Sequence, residues 1–360
     1  MNEKKRRFRQ FILPGIFIVG VVYFMAEPVR ANSGGYVSGK DCVNYILPEK
    51  PKNNDALLKK IKTILQEKDK QGYMAIQFVS SFSKKYCKEN ANMYLQYINN
   101  EFYDNLENAL QTVVHETYHT YTTTYGLLLN GKVIAPPEGA SGVPGNVVWI
   151  RSKYPAYAFY FMDSGHHTVR LTRTFAAQEL VPQIPKEFRT FRFDPYIDPE
   201  SSSTSTQEYG VYGLLDEFHA YYHGFITGHN VMDKSSINTF NVHGAPFYEF
   251  KFFILKYLIY AQKKHPEIYK EIINNADFKK VFLNLHDKFE SLVKPHIAKE
   301  RKKFLKALEN EVSYSIDGVK YLPKDYAKAF EQGSGFKDSY TLKKELEKPV
   351  YQKLMQRLRK

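Results

Sequence analysis

Cysteine is scarce in this chain of 360 residues, with Cys42 and Cys87 the only two. That count excludes a disulfide-dense scaffold, and neither residue has the paired spacing of a zinc knuckle. No internal repeat recurs along the sequence. Low complexity is confined to one run, Ser201 to Thr206, which reads as a mobile loop and a candidate lid. Nowhere do Arg and Lys form a compact cluster interleaved with aromatics, so a nucleic-acid interface is not expected. Acidic residues are outnumbered, 38 against 51 Lys and Arg, which leaves a formal net charge of +13. That balance keeps a protein soluble, and it also suits acidic surfaces such as anionic polymers or a cell wall.

What is present is an ordinary globular composition, 43% hydrophobic and 25% charged, and enough chain for one large domain or two small ones. Aromatics are abundant, 28 Tyr and 26 Phe; tyrosine at that level suits a wet groove as well as a core. The N-terminus has a distinct character. Lys4 to Arg9 form a basic stretch, Phe11 to Ala26 an apolar run broken by Pro14 and Gly15, and Val29-Arg30-Ala31 places small residues where a signal peptidase reads. Residues 1–31 therefore read as an export signal cut after Ala31, with an uncleaved anchor and a cell-surface or membrane association as the alternative. The protein is expected outside the cytoplasm. There an even cysteine count favours one disulfide, joining Cys42 to Cys87. Cys42 stands too far from the apolar run to carry a lipid.

Beyond an irregular lead-in, residues 55–125 are helical by pattern. Leu57, Leu58, Ile61, Ile64 and Leu65 recur at helical spacing. A second helix starts near Asp104, with Glu107 three residues on as a variant capping box. Its apolar stripe is Leu106, Leu110, Val113, Val114 and Thr117. After Gly126 come β-branched runs such as Val147 to Ile150 between turn-rich stretches, read as short strands and loops up to about 195. A helix returns around 211–224, and from Pro246 the chain is mainly helical. The expected organisation is a 32–245 catalytic region with a 246–360 helical region packed on it.

The chemistry lies in His115-Glu116-Thr117-Tyr118-His119, an H-E-x-x-H pattern. On a helix, residues four apart stand one turn above each other on one face. Two imidazoles so placed can bind one tetrahedral zinc ion, and the glutamate between them can take a proton from a water that the zinc has acidified. A third protein ligand is then required. The chain has Thr122 and Tyr125 where a metzincin would have glycine and histidine, so the ligand is distal. The richest candidate segment is Gly213 to Gly224, which holds Asp216, Glu217, His219 and His223. Glu217 leads; His219 or His223, themselves four apart, and His166 or His167 are the alternatives.

With these residues the chain resembles the gluzincins, H-E-x-x-H metallopeptidases whose third ligand is a glutamate on a later helix. Glu217 followed by Ala220 fits the small residue that lets the two site helices approach. Tyr221 stands where thermolysin-like members have an acidic second-shell residue, and Asp216 is the candidate substitute. A narrower likeness is to the anthrax lethal factor type, in which a Tyr-Gly pair supplies an oxyanion-stabilising hydroxyl. Tyr209-Gly210 and Tyr212-Gly213 are the candidates here, with the His223 imidazole as another. The resemblance covers about 30 residues in two segments. It implies an α+β fold, a mostly helical zincin-like domain with a strand-rich insertion between the site helices. It also implies a zinc metallopeptidase acting on a peptide or protein substrate, with Glu116 as general base, and the export signal makes it a secreted one. Zinc-dependent hydrolysis of a non-peptide bond, and an extracellular binding protein with a vestigial metal site, are the other readings.

Overall fold

The computed structural model describes residues 54–87, 106–127, 147–148, 157–162, 165–200, 204–231, 244–309, 314–316, 319–321 and 335–360. The export signal, Cys42 and hence its pairing with Cys87, and Ser201 to Ser203 lie outside these residues.

Two helices open the described chain, α1 (Asn54–Lys68) and α2 (Lys70–Cys87). The stripe that predicts α1 is the face it buries, with Leu58, Ile61 and Leu65 withdrawn from water. Asp69 separates the two helices and caps the second, its carboxylate accepting the Gly72 N–H at 3.1 Å. That bond satisfies one of the donors a helix start leaves open. Next comes α3 (Leu106–Leu127), which carries H-E-x-x-H in its middle. Leu110, Val113, Val114 and Thr117 are buried along it, so the expected stripe is the packed face.

The strand-rich insertion is a small antiparallel sheet, β1 (Val147–Val148), β2 (Tyr157–Met162) and β3 (Gly165–Arg170), in the order β1-β2-β3. Phe161 pairs with His166 and Tyr160 with His167. Two 3-10 turns follow, then two short helices, α4 (Phe193–Tyr196) and α5 (Ser205–Glu208). The serine-threonine run is thus not a loop throughout. Thr206 is buried, its hydroxyl donating to the Tyr196 carbonyl at 2.7 Å, because α5 is packed under the helix that follows.

That helix, α6 (Val211–Val231), is the axis of the molecule. Nearly every residue along it is buried, the mark of a helix surrounded on all sides. It packs most extensively on α3 and next on α7 (Pro246–Lys264). The chain continues as α8 (Pro266–Ile273) and the long α9 (Ala276–Glu309). A hairpin of β4 (Tyr314–Ile316) and β5 (Val319–Tyr321) follows, then α10 (Gly335–Leu346) and α11 (Pro349–Leu358). The hairpin interrupts the mainly helical character expected for this end of the chain. Its strands are joined across Asp317-Gly318, a pair that suits two-residue hairpin loops.

Two apolar clusters hold the structure. The smaller joins α1, α2 and α3, with Phe161 and Val231 reaching into it. The larger runs from β2 and β3 through α6 to α11. Residues on both sides of the 245/246 boundary belong to it, so the C-terminal helices share a core with the sheet. Each fully buried Leu or Phe in these clusters contributes roughly 1.5–3 kcal/mol. The described residues are mostly helical with two small sheets, an α+β arrangement. No helix among them is long and apolar enough to cross a membrane.

Candidate metal centre

Five polar side chains of α6 are buried: Asp216, Glu217, His219, His223 and Thr227. Burial of such groups is costly unless each finds a hydrogen-bond partner, and tracing the partners locates the site. Thr227 donates to Asp69 at 2.5 Å, tying α6 to the α1–α2 junction. His219 and His223 both donate Nε2–H to the Phe161 carbonyl of β2, at 2.7 and 3.1 Å. Burial, with His219 beside it, keeps His223 neutral by pulling its pKa well below the ordinary range. Its ring stacks on Tyr118 at 3.6 Å. Asp216 and Glu217 reach the histidines of α3.

There they meet the motif. His119 donates Nδ1–H to Asp216 Oδ2 at 3.0 Å, which fixes the tautomer and leaves Nε2 facing inward. His115 Nε2 and His119 Nε2 lie 3.3 Å apart. Glu217 Oε2 is 3.8 Å from the first and 3.7 Å from the second. Glu116 Oε1 is 3.9 Å from His115 Nε2. His115, Glu116 and His119 form a group that could hold a metal ion. The Glu116 side chain keeps 23% of its exposure, against 14% for His119, 6% for His115 and 5% for Glu217, so it is the most open to water.

The electrostatics of the group are dominated by burial and by the acidic side chains around His119. Burial disfavours the His119 imidazolium, yet the carboxylates of Asp216, Glu217 and Glu116 outweigh it and hold His119 well above the usual imidazole range. Burial raises Glu217; His119 lowers it, and Asp216 and Glu116 raise it further. Burial likewise raises Glu116. Asp216, Glu217 and Glu116 thus gather around His119, and a divalent ion bound there would favour the ionised form of the raised Glu116 and Glu217. Among the described residues Glu217 Oε2 is buried with no hydrogen-bond partner. Two nitrogens each about 2.0–2.1 Å from a tetrahedral zinc lie about 3.3–3.4 Å apart, the spacing seen here. The residues present could hold a metal ion.

Not every expected residue gathers at this point. His219 and His223 each bond the Phe161 carbonyl through Nε2 and lie outside the His115, Glu116 and His119 group. His167 lies on β3 beside Lys280 and Lys288; burial, then those two charges, lower its pKa. The side chain of His166 lies outside the described residues. The Tyr212 hydroxyl is engaged by Thr172 Oγ1 at 2.9 Å and by Asn275 Nδ2 at 3.2 Å, and that of Tyr209 by Glu208. Both Tyr-Gly pairs answer to packing. Gly210 has φ of +53°, and a Cβ there would meet the Tyr257 hydroxyl at 2.4 Å. A Cβ on Gly213 would lie 2.3 Å from the Ser205 carbonyl oxygen.

Two residues at the site carried no sequence signal. Tyr196 of α4 hydrogen-bonds Glu217, and Arg192 just before it is buried beneath Tyr221. Tyr221 itself packs on the His115 ring, centroids 4.3 Å apart. Comparison of the chain with family models, with curated proteins and with solved structures gives no match.

Proposed function

We propose that this chain is a zinc-dependent metallopeptidase with His115, His119 and Glu217 as ligands and Glu116 as general base. The observation that carries the reading is the triangle of His115 Nε2, His119 Nε2 and Glu217 Oε2, with edges of 3.3, 3.7 and 3.8 Å. Glu217 leads over Glu116 as third ligand because its Oε2 approaches both imidazoles and is buried without another bond. The hydrogen bond from His119 to Asp216 supports the reading, since metal-bound histidines generally have such an outer partner.

When bound, zinc polarises a carbonyl and acidifies water. The chain's own part is proton handling and orientation. Glu116, raised by burial and open to water, takes the proton of the attacking water as its oxygen bonds to the scissile carbonyl carbon. As the carbon–nitrogen bond breaks, Glu116 gives that proton to the leaving amine. His223, Tyr209 and Tyr212, the sequence candidates for oxyanion support, have no part in this mechanism. The N-terminal export pattern supports action outside the cytoplasm, and the gluzincin resemblance supports a peptide or protein substrate.

The test is metal content of the purified protein by plasma mass spectrometry, beside His119→Ala and Glu116→Gln. One zinc per chain is expected, lost in His119→Ala and kept in Glu116→Gln. The glutamine variant should lose hydrolysis of a peptide library by roughly 10²–10⁴-fold, the weight of a general base. Absence of zinc from the wild-type chain after incubation with the metal would end the proposal.

A further inference from the structure

Behind Glu217 runs a line of buried polar groups drawn from three elements. Arg192 is 6% exposed and Glu249 of α7 only 1%. The Arg192 Nη1 donates to Glu249 Oε2 at 2.8 Å. The same guanidinium hydrogen-bonds the Tyr221 hydroxyl, and its Cζ stands 4.8 Å from the Tyr221 ring centroid. The Tyr221 and Tyr196 hydroxyl oxygens are 3.0 Å apart, and Tyr196 bonds Glu217.

The line has a direction. A guanidinium has donors only, so at the Arg192 contact the Tyr221 oxygen accepts. The Tyr221 proton is then turned toward the Tyr196 oxygen, and the Tyr196 proton toward the Glu217 carboxylate. Because Glu217 Oε2 has no hydrogen-bond partner among the described residues, the Tyr196 bond falls on Oε1. One carboxylate oxygen is held and the other faces the two histidines. A buried Arg–Glu pair is weak support for stability, since apolar residues of similar volume usually serve as well. Orientation of a neighbour is a better account of its presence.

We propose that Arg192 is a positioning residue of the metal centre, which acts through Tyr221 and Tyr196 to fix the rotation of the Glu217 carboxylate and leave Oε2 for the metal. This rests on the reading of His115, His119 and Glu217 as zinc ligands. Such outer partners are worth about 10–100-fold in metal affinity.

The experiment measures the zinc dissociation constant by chelator competition, and the absorption spectrum of the cobalt(II)-loaded protein. It uses the wild type, Tyr196→Phe, Tyr221→Phe, both together, and Arg192→Met combined with Glu249→Leu. Thermal melting of each metal-free protein checks folding. Tyr196→Phe is expected to weaken zinc binding roughly 10–100-fold and to alter the cobalt bands. Tyr221→Phe and the Arg192–Glu249 variant should shift both readouts the same way. The double tyrosine variant should bind no more weakly than Tyr196→Phe alone, because both act along one line. Affinity and spectrum unchanged in Tyr196→Phe would overturn the inference, as would a loss confined to Tyr196→Phe or losses that multiply in the double variant. A wild-type chain that binds no zinc would instead sink the metal-site reading beneath it.

Discussion

Asp216 shows how one residue decides what its neighbour can do. Its carboxylate holds the Nδ1–H of His119, so Nε2 points at His115 and Glu217. Removing it frees the ring to rotate and takes one of three carboxylates from the site. Asp216→Ala is therefore expected to weaken zinc binding about 10–100-fold. Asp216→Asn, whose amide oxygen still accepts from Nδ1, should keep most of the affinity. Chelator competition on the two variants side by side checks this, and equal losses in both would mean that charge rather than orientation governs the site.

At the scale of elements the site depends on how closely α5, α6 and α3 approach. Glu217 stands one turn beyond Gly213, where α6 presses against Ser205 and Thr206. A Cβ at 213 would lie 2.3 Å from one backbone atom of that segment and 2.7 Å from another. Backbone cannot step aside as the end of a side chain can. Gly213→Ala should destabilise the protein by about 1–3 kcal/mol, the range for overpacking, read as a lower urea midpoint at unchanged slope. A midpoint within error of the wild type would show that α5 moves freely. The same tightness explains why α6 carries five buried polar groups. Each is matched by a partner on another element, and the two that reach the histidines of α3 are the carboxylates.

The whole molecule has a pH sensitivity apart from the metal centre. His286 of α9 sits in the larger core, 3% exposed. Burial, then the nearby charge of Lys251, lower its pKa to about 4, against a lesser upward pull from Asp287 and Glu290. The unfolded chain holds a proton on this ring below about 6.5 while the folded chain refuses it until about 4. Stability is thus fully present above pH 6.5 and falls as the pH drops toward 4. At 1.36 kcal/mol per decade the loss from this group is roughly 3 kcal/mol. Denaturant titrations between pH 6.5 and 4, in chelator so that metal release plays no part, should show this slope in the wild type. In His286→Gln the slope should flatten by that amount, whatever the variant's stability at neutral pH. An unchanged slope would assign the loss to other groups.

Local pattern carried much of this structure. The stripes of α1 and α3, the change to short strands after Gly126 and the return of helix near 211 follow from apolar spacing and turn residues, which neighbours in sequence determine. The H-E-x-x-H spacing put His115 and His119 on one helical face for the same reason, since four residues make about one turn. Asp216 and Glu217 stood out because acidic and histidine side chains crowd that helix. Their roles lay beyond the sequence. Whether Glu217, His219 or His223 faces α3 is set by the rotation of α6 against α3 and β2, and the two histidines found the Phe161 carbonyl instead. The Tyr-Gly pairs looked chemical but answer to a positive φ and to a close helix approach, which only packing reveals. The β4–β5 hairpin was not expected from the sequence, since the chain on both sides of it is helical by pattern. Arg192 and Tyr196, four positions apart, lie 21 to 57 positions from the residues they hold. No periodicity links such positions; they meet only because the core folds α4 and α7 onto the far side of α6.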